Sequence, residues 1–342
     1  MDIKENLTNA LYAKEIEKIP VTAFPSVLTT ELLLNNNTNF EEANHDAEKM
    51  AQVAGSLYDY TMIEGITIPL DLWFESESVG YVVERQEGTF TPIISEAPFD
   101  SPSDIEMPDD FTSLGQFPVV EKASKILHEN YDDKNVPLIG EVTGAFTLLT
   151  DLVNLGKVIK MLNSDYIEID DTLEEINKSL IEEIKFFEEL GVDCIVVNDP
   201  SSTTNIVKPN LFADLIQPYL MELSDAMNVP GVLHICGDTN SNLENMLSCG
   251  YEGLSISQEV DILHAKEVKR QINSDTVICG NIDINSLLMK SIDEVKEESL
   301  NCLQKEVDIL GPSCNMAPET PLFNISAMVE ARNEYFEEIW LG

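Results

Sequence analysis

The stretch DTLEEINKSLIEEIKFFEELGVDCIVVNDP, residues 171–200, contains both halves of the pattern that decides the fold. Its first half has apolar residues at spacings of three and four, from Leu173 to Phe187, which is the period of one helix face. Gly191 then ends the helical pattern, and residues 193–198 (DCIVVN) follow as a short apolar run rich in β-branched residues. A helix that leads directly into a strand apolar on both faces is typical of a parallel α/β sheet.

The same alternation continues along the chain and gives eight predicted strands. The seven other runs are residues 19–24 (IPVTAF), 62–70 (MIEGITIPL), 136–142 (VPLIGEV), 231–235 (GVLHI), 253–257 (GLSIS), 276–280 (TVICG) and 307–311 (VDILG). Eight strands alternating with helices predict an α/β protein with a (β/α)8 TIM-type barrel, formed by residues 1–342 as a single domain. A doubly wound sheet is the alternative, but the chain contains no glycine-rich nucleotide-binding motif.

One segment interrupts the alternation. Residues 83–110 are rich in proline, serine and acidic residues and contain a short apolar piece. We interpret this segment as a lid or hairpin inserted over the mouth of the barrel, and not as a boundary between domains.

The composition argues against several classes of partner. The 342 residues include 62 acidic and 20 basic ones, and the formal net charge of −42 repels nucleic acid and anionic membranes. A hydrophobic content of 43% argues against disorder, so we interpret the acids as a solvated surface suited to a salt-rich cytoplasm. The sequence shows neither a signal peptide nor an apolar stretch of roughly 20 residues, which predicts a cytoplasmic protein. The six cysteines are scattered, so we expect no disulfide framework.

The segment VLHICGDTN, residues 232–240, places a histidine and a cysteine where a predicted strand ends. His234 and Cys236 share one side of that strand by its period of two, and Cys314 lies just beyond the last predicted strand. The carboxyl ends of barrel strands meet at one rim, and one histidine with two cysteines is the ligand set of an open zinc site. The spacing alone leaves a second reading open, in which the cysteines and the histidine are ordinary core residues.

Several segments together resemble the uroporphyrinogen decarboxylase superfamily, and within it the methylcobamide:coenzyme M methyltransferases of methylotrophic methanogens. The segments are VPLIGEVTGAFTLLTDLV, GVDCIVVNDPSSTTNIVKP, VLHICG, GYEGLSIS, VICGNID and LGPSCNMAPETPLFNI. They cover nearly the whole chain, and the resemblance is weakest across residues 85–110.

The resemblance implies that zinc is held by His234, Cys236 and Cys314. Two departures from the family pattern are visible. Asn315 stands where glycine is frequent, and residues 257–259 (SQE) stand where acidic pairs are usual. The second departure leaves Glu259 as a weak candidate for a fourth metal ligand.

The resemblance also implies the reaction. The thiol of coenzyme M binds zinc at the open position and accepts the methyl group of a methylated corrinoid, which arrives on a separate carrier protein. We expect that carrier to contact the insertion at residues 85–110. The chain lacks the D-x-H-x-x-G motif of a resident corrinoid. The decarboxylase branch is disfavoured because no arginine precedes Arg85. A different thiol or a pterin as acceptor, or a non-catalytic carrier of corrinoid or thiol, remain alternatives.

Five further polar residues follow predicted strands and are candidates for substrate binding: Glu141, Thr143, Asp199, Asn281 and Asp283. Asn281 and Asp283 would face the corrinoid, and Asp199 would orient the substrate or a metal ligand. Each position also has a structural interpretation, as a cap of the next turn or as part of an Asx turn.

Overall fold

A computed structural model of the protein describes residues 1–71, 73–80, 83–84, 93–94, 97–164 and 166–341. The strands are β1 (Ile66–Ile68), β2 (Val83–Glu84), β3 (Ile93–Ile94), β4 (Leu138–Thr143), β5 (Cys194–Asn198), β6 (Gly231–His234), β7 (Gly253–Ser255) and β8 (Val277–Cys279). The main sheet is parallel, with the strand order β1-β4-β5-β6-β7-β8. Six of the eight predicted strands therefore form the continuous sheet.

The two remaining predicted strands join the edges of this sheet through isolated parallel bridges. Ile309 pairs with Cys279 at the end of the sheet, and Leu310 pairs with Val21. The backbone oxygen of Val21 then accepts a hydrogen bond of 2.7 Å from the N–H of Glu64, just before β1. The eight segments thus follow one another around the (β/α)8 barrel that the sequence predicts. Prolines at positions 20 and 312 have no N–H to donate, which explains why Val21 and Leu310 form a single bridge and not a longer ladder.

Helices connect the strands and cover the outside of the barrel. In chain order they are α1 (Ile3–Leu11), α2 (Thr30–Asn35), α3 (Phe40–His45), α4 (Ala47–Thr61), α5 (Phe74–Ser78), α6 (Phe117–Tyr131), α7 (Ala145–Leu152), α8 (Leu155–Leu162), α9 (Ile167–Glu189), α10 (Pro209–Leu211), α11 (Gln217–Ala226), α12 (Leu243–Leu247), α13 (Ile262–Gln271), α14 (Ile284–Met289), α15 (Ile292–Gln304) and α16 (Leu322–Leu341). Asp46, Asp261 and Ser291 cap the first turns of α4, α13 and α15 by accepting bonds from backbone N–H groups. No helix within the described ranges is both long and apolar enough to cross a membrane.

The interior of the barrel changes from apolar at its base to polar at its mouth. Leu7 and Leu11 of α1 pack into the base against Ile139 and Val232. Side chains alternate along a strand, so the face of β4 that carries Ile139 inward also carries Glu141, one step nearer the carboxyl end. The strands therefore bury an apolar core below and present polar groups above.

A buried ion pair fastens α16 to the amino end of the first strands. Arg332 is 1% exposed, and its Nη2 donates to Oε1 of Glu64 over 2.8 Å. Its Nη1 donates to the backbone oxygen of Ile19 over 2.7 Å, while Oε2 of Glu64 accepts from the N–H of Val21. The pair ties three separate parts of the chain together at the point where the barrel closes.

The hairpin expected within residues 83–110 is present. Val83 pairs with Ile94 in the antiparallel sheet of β2 and β3, and residues 85–92 and 95–96 lie outside the described residues. Further along, the backbone N–H of Phe99 donates to the oxygen of Leu152, at the end of α7. The later part of the insertion therefore lies against the helices that follow β4. Its role as a lid, and the boundaries of a single domain, stay predictions.

Candidate metal site

One rung of the parallel sheet places four polar residues side by side at the carboxyl ends of the strands. The register pairs Thr143 with Asn198, Asn198 with His234, and His234 with Ser255. His234 therefore lies in the middle of the rung, and its side chain is 0% exposed.

The hydrogen bonds of His234 leave one ring nitrogen free to bind a metal. Its Nδ1 lies 3.2 Å from the backbone oxygen of Ser255 and 3.0 Å from Oγ of the same residue. A carbonyl oxygen only accepts, so Nδ1 carries the proton and Nε2 keeps its lone pair. Burial lowers the pKa of His234 to about 4, so the ring is neutral at pH 7. A neutral imidazole with an anchored Nδ1–H is the form that ligates metals.

The two candidate cysteines meet His234 from different parts of the chain. Nε2 of His234 lies 2.9 Å from Sγ of Cys236, and Gly237 turns the chain away with a φ of +78°. Cys314 is 78 residues further on, yet its sulfur is joined to that of Cys236 in a disulfide. The three ligand atoms all lie within 4.8 Å of one another. The other four cysteines are free and buried.

The donor set fits a zinc ion once the disulfide is reduced. Tetrahedral zinc, with Zn–S distances of about 2.3 Å and Zn–N of about 2.0 Å, separates its ligand atoms by about 3.5–3.8 Å. That separation lies within the 4.8 Å over which the three atoms are already gathered. A disulfide and a dithiolate metal site are alternative states of the same two sulfurs, because only the thiolate binds a metal.

Glu141 belongs to the polar mouth, next to the rung. Its Oε1 accepts from Nδ2 of Asn198 over 2.9 Å, and its Oε2 accepts from the backbone N–H of Ser26 over 2.7 Å. Burial raises the pKa of this carboxyl, and the two donors partly offset the effect.

Thr143 is bound by Glu75, which forms a buried carboxyl pair with Glu183 outside the candidate metal group. Its N–H and its hydroxyl donate to Glu75 of α5, over 2.5 and 2.8 Å. Burial raises the pKa of Glu75 to about 7. Glu183 of α9 is 0% exposed, and its two oxygens have no hydrogen-bond donor among the described residues. Burial, and then the neighbouring Glu75, raise its pKa well above the ordinary value, so Glu183 holds a proton beside Glu75 at neutral pH.

Asp199, the third candidate on this side of the barrel, holds the start of α7. It is 0% exposed, and its Oδ1 accepts from the backbone N–H of Thr147 over 2.9 Å. Its Oδ2 accepts from the hydroxyl of Ser202. Asp199 therefore makes the structural contacts of a turn cap, and a direct contact with substrate stays a prediction.

The remaining candidates also make local contacts. The amide of Asn281 donates to the backbone oxygens of Ser257 and Val260, over 2.9 and 2.7 Å. Asp283 caps α14, and Glu259 is exposed and outside the group of three. A role for Asn281 or Asp283 towards a corrinoid, and for Glu259 towards a metal, therefore stays a prediction.

Sequence reasoning missed three residues at the mouth. Ser255 anchors His234, Asn198 contacts Glu141, and Gln258 accepts a bond of 2.7 Å from the hydroxyl of Ser313, next to Cys314. Aligning the predicted strand ends would have identified Asn198 and Ser255 as neighbours of His234, because parallel strands end at one rim.

Comparison with known proteins places the chain in a family. The model of the family described as uroporphyrinogen decarboxylase (URO-D) matches residues 2–335. The chain belongs to the uroporphyrinogen decarboxylase family.

Within this family, the chain is similar to methyltransferases of methanogens. It is 31% identical over 336 residues to the methylcobamide:CoM methyltransferase MtaA of Methanosarcina barkeri, covering 98% of each sequence. It is 28% identical over 337 residues to the methylcobamide:CoM methyltransferase MtbA of Methanosarcina acetivorans, covering 97% of this chain and 98% of the relative. The structure of a methyltransferase from Methanosarcina mazei superimposes with a TM-score of 0.91 at 28% identity, covering 98% and 99% of the two chains. The protein is therefore an enzyme, a methyltransferase of this family.

Proposed function

We propose that the protein transfers a methyl group from a methylated corrinoid to the thiol of coenzyme M, with zinc held by His234, Cys236 and Cys314. The observation that carries the proposal is the convergence of these three ligand atoms within 4.8 Å, at the carboxyl ends of the barrel strands. The names of the relatives, methylcobamide:CoM methyltransferases, supply the substrates.

The charges of the three ligands suit this chemistry. When bound, zinc would deprotonate a coordinated thiol and so provide a thiolate nucleophile for methyl transfer. Cys236 and Cys314 contribute two negative charges as thiolates, which balance the +2 charge of zinc, while burial keeps His234 neutral. A substrate thiolate therefore adds to an uncharged centre and stays electron-rich. Three ligands also leave the fourth position for the substrate.

The arginines of the structure argue against decarboxylation, whose substrate carries many carboxylates. Arg332 is bound to Glu64 at the opposite end of the barrel, and Arg270 lies on the exposed surface beside Glu267. Arg85 lies outside the described residues. The described part of the chain therefore brings no arginine to the polar mouth.

The corrinoid is proposed to arrive on a separate carrier protein that docks at the barrel mouth, near residues 85–110. The sequence has no motif for holding a corrinoid permanently. A different thiol or a pterin is the alternative acceptor, and replacing coenzyme M by another thiol in the assay below separates these possibilities.

The proposal is tested by incubating the reduced, zinc-loaded protein with methylcobalamin and coenzyme M, and following cob(I)alamin by its absorbance. We expect Cys236→Ala and Cys314→Ala each to abolish both zinc binding and the spectral change. Cys249→Ala is the matched control, because this buried cysteine is not one of the three. Zinc-free protein with full turnover, or intact zinc binding in both variants, would refute the proposal.

A further inference from the structure

We propose that Asn198 is a positioning residue that holds Cys314 opposite the pair His234–Cys236. The inference rests on the proposed metal site and identifies what keeps its most distant ligand in place. Asn198 connects the two parts of the metal site. It pairs with His234 in the sheet register, and its side chain contacts Asn315, the residue that follows Cys314.

The backbone pairing of β5 with its two neighbouring strands fixes the position of Asn198. It is the last residue of β5 and pairs with Thr143 on one side and His234 on the other. Its side chain is 5% exposed. A residue at the end of a central parallel strand is held by its neighbours on both sides, which makes it a rigid base for a loop contact.

The amide of Asn198 connects β4 to the loop of Cys314. One hydrogen of Nδ2 points to Oε1 of Glu141 over 2.9 Å, and the nitrogen also lies 3.3 Å from Oδ1 of Asn315. Both partners are acceptors, so the amide orientation is determined by the contacts. A carboxylate at this position has no hydrogen to offer either of them.

The contacts close into a ring through Ser26. Glu141 accepts from the N–H of Ser26 over 2.7 Å, and Nδ2 of Asn315 donates to the oxygen of Ser26 over 3.4 Å. These hydrogen bonds join the ends of β4 and β5 to the loops that contain Ser26 and Asn315.

The loop needs such support because it contains no helix or strand. Residues 313–321 lie between the bridge at residue 312 and the start of α16. On the other side of Cys314, the hydroxyl of Ser313 donates to Gln258 over 2.7 Å. The residues on both sides of Cys314 are therefore held by hydrogen bonds. Only the bond of Asn315 is made to a residue of the strand that pairs with His234.

The test measures zinc affinity by chelator competition on reduced protein, together with the absorption spectrum of the cobalt(II)-substituted protein. In Asn198→Asp, a carboxylate faces Glu141 and cannot donate to Asn315. We expect zinc affinity to fall about 10- to 100-fold, as for other residues that orient metal ligands. We also expect the cobalt bands that report thiolate ligation to weaken, as Cys314 leaves its position.

The double variant Asn198→Asp with Glu141→Gln exchanges the amide and the carboxylate. The introduced glutamine then donates to the introduced aspartate and still accepts from the N–H of Ser26, but the aspartate has no hydrogen to donate to Asn315. We therefore expect thermal stability to return and zinc affinity to stay low. Asn177→Asp is the matched control. Asn177 is also buried and donates to a carboxylate, Oε2 of Glu222 over 2.9 Å, but lies in α9 outside the metal group. This variant is expected to lower stability and leave the cobalt spectrum unchanged.

The outcomes separate this inference from the proposed function. Wild-type protein that binds no zinc overturns both. A second outcome overturns only the role of Asn198. In it the wild-type protein binds zinc, and the Asn198→Asp variant loses thermal stability but keeps its zinc affinity and its cobalt spectrum. A double variant that regains full zinc affinity contradicts the contact with Asn315 as the cause.

Discussion

Replacing Glu183 by glutamine should stabilise the protein at alkaline pH and leave its stability in acid unchanged. Glu183 is 0% exposed and faces Glu75, with no donor to either of its oxygens among the described residues. In the folded state it must carry a proton, whereas in the unfolded chain its pKa returns to the ordinary value of 4.5. A glutamine needs no proton and donates its Nε2 hydrogen to Glu75.

The sign follows from the raised pKa of the folded state. A carboxyl whose pKa is higher in the folded protein contributes stability that is complete below about pH 4.5 and lost as pH rises through the folded pKa. Glu75 sets the scale: raising its pKa from 4.5 to about 7 corresponds to about 3 kcal/mol, since one pKa unit is about 1.36 kcal/mol. The hydrogen bond to Glu75 is present before and after the change, so the gain from Glu183→Gln is the cost of keeping a proton on Glu183. We therefore expect Glu183→Gln to add about 2 kcal/mol at pH 8.

The assay is urea unfolding between pH 4 and pH 8 at constant high salt, reported as the difference between variant and wild type. Asp151, whose pKa burial raises to about 8, titrates in both proteins and so cancels in this difference. Glu182→Gln is the matched control, because Glu182 is the exposed neighbour on the same helix and receives the same substitution. Equal pH profiles for the two variants, or a Glu183→Gln protein that is less stable than wild type at pH 8, would refute the reasoning.

Three shorter predictions address the ion pair, the histidine and the surface. Arg332→Met should lower the free energy of unfolding by about 3–5 kcal/mol, because it leaves Glu64 buried and unpaired, and the double variant with Glu64→Gln should recover part of this loss in denaturant titrations. Ser255→Ala should weaken zinc binding about tenfold in chelator competition, since it removes one of the two acceptors that orient His234. With a net charge of −42, the protein should lose thermal stability when sodium chloride is lowered from about 1 M to about 10 mM, as screening weakens; a melting temperature independent of salt would contradict the interpretation of the acidic surface.

The barrel was predictable because its signal is local. Each strand is a short apolar run between helical patterns, so the run is visible without knowing its partner. The extent of pairing was not visible: Val21 and Leu310 form a single bridge where the sequence predicted full strands. Prolines 20 and 312 were present in the sequence, but their effect depends on which N–H groups face a neighbouring strand, and that is set by the register of the closed barrel.

The same distinction explains which parts of the candidate site the sequence indicated. His234, Cys236 and Cys314 have side chains whose chemistry is rare, and each lies at or just beyond the end of a predicted strand. Residue type and position indicated a metal site as one of two readings, and the family resemblance implied all three as its ligands. Asn198 has common chemistry, and its importance arises only from two partners that lie 57 and 117 residues away in the chain.

Asp199, next to Asn198, has the residue type and the strand-end position of a site residue. The structure shows its carboxylate bound to Thr147 and Ser202, and its role towards substrate stays a prediction. Neighbouring side chains on a strand point to opposite faces, so one of these two residues faces the barrel mouth and the other faces the helices. The direction of each side chain, which follows from the strand register, therefore decides whether a polar residue at a strand end faces the site, and the identity of that residue alone does not.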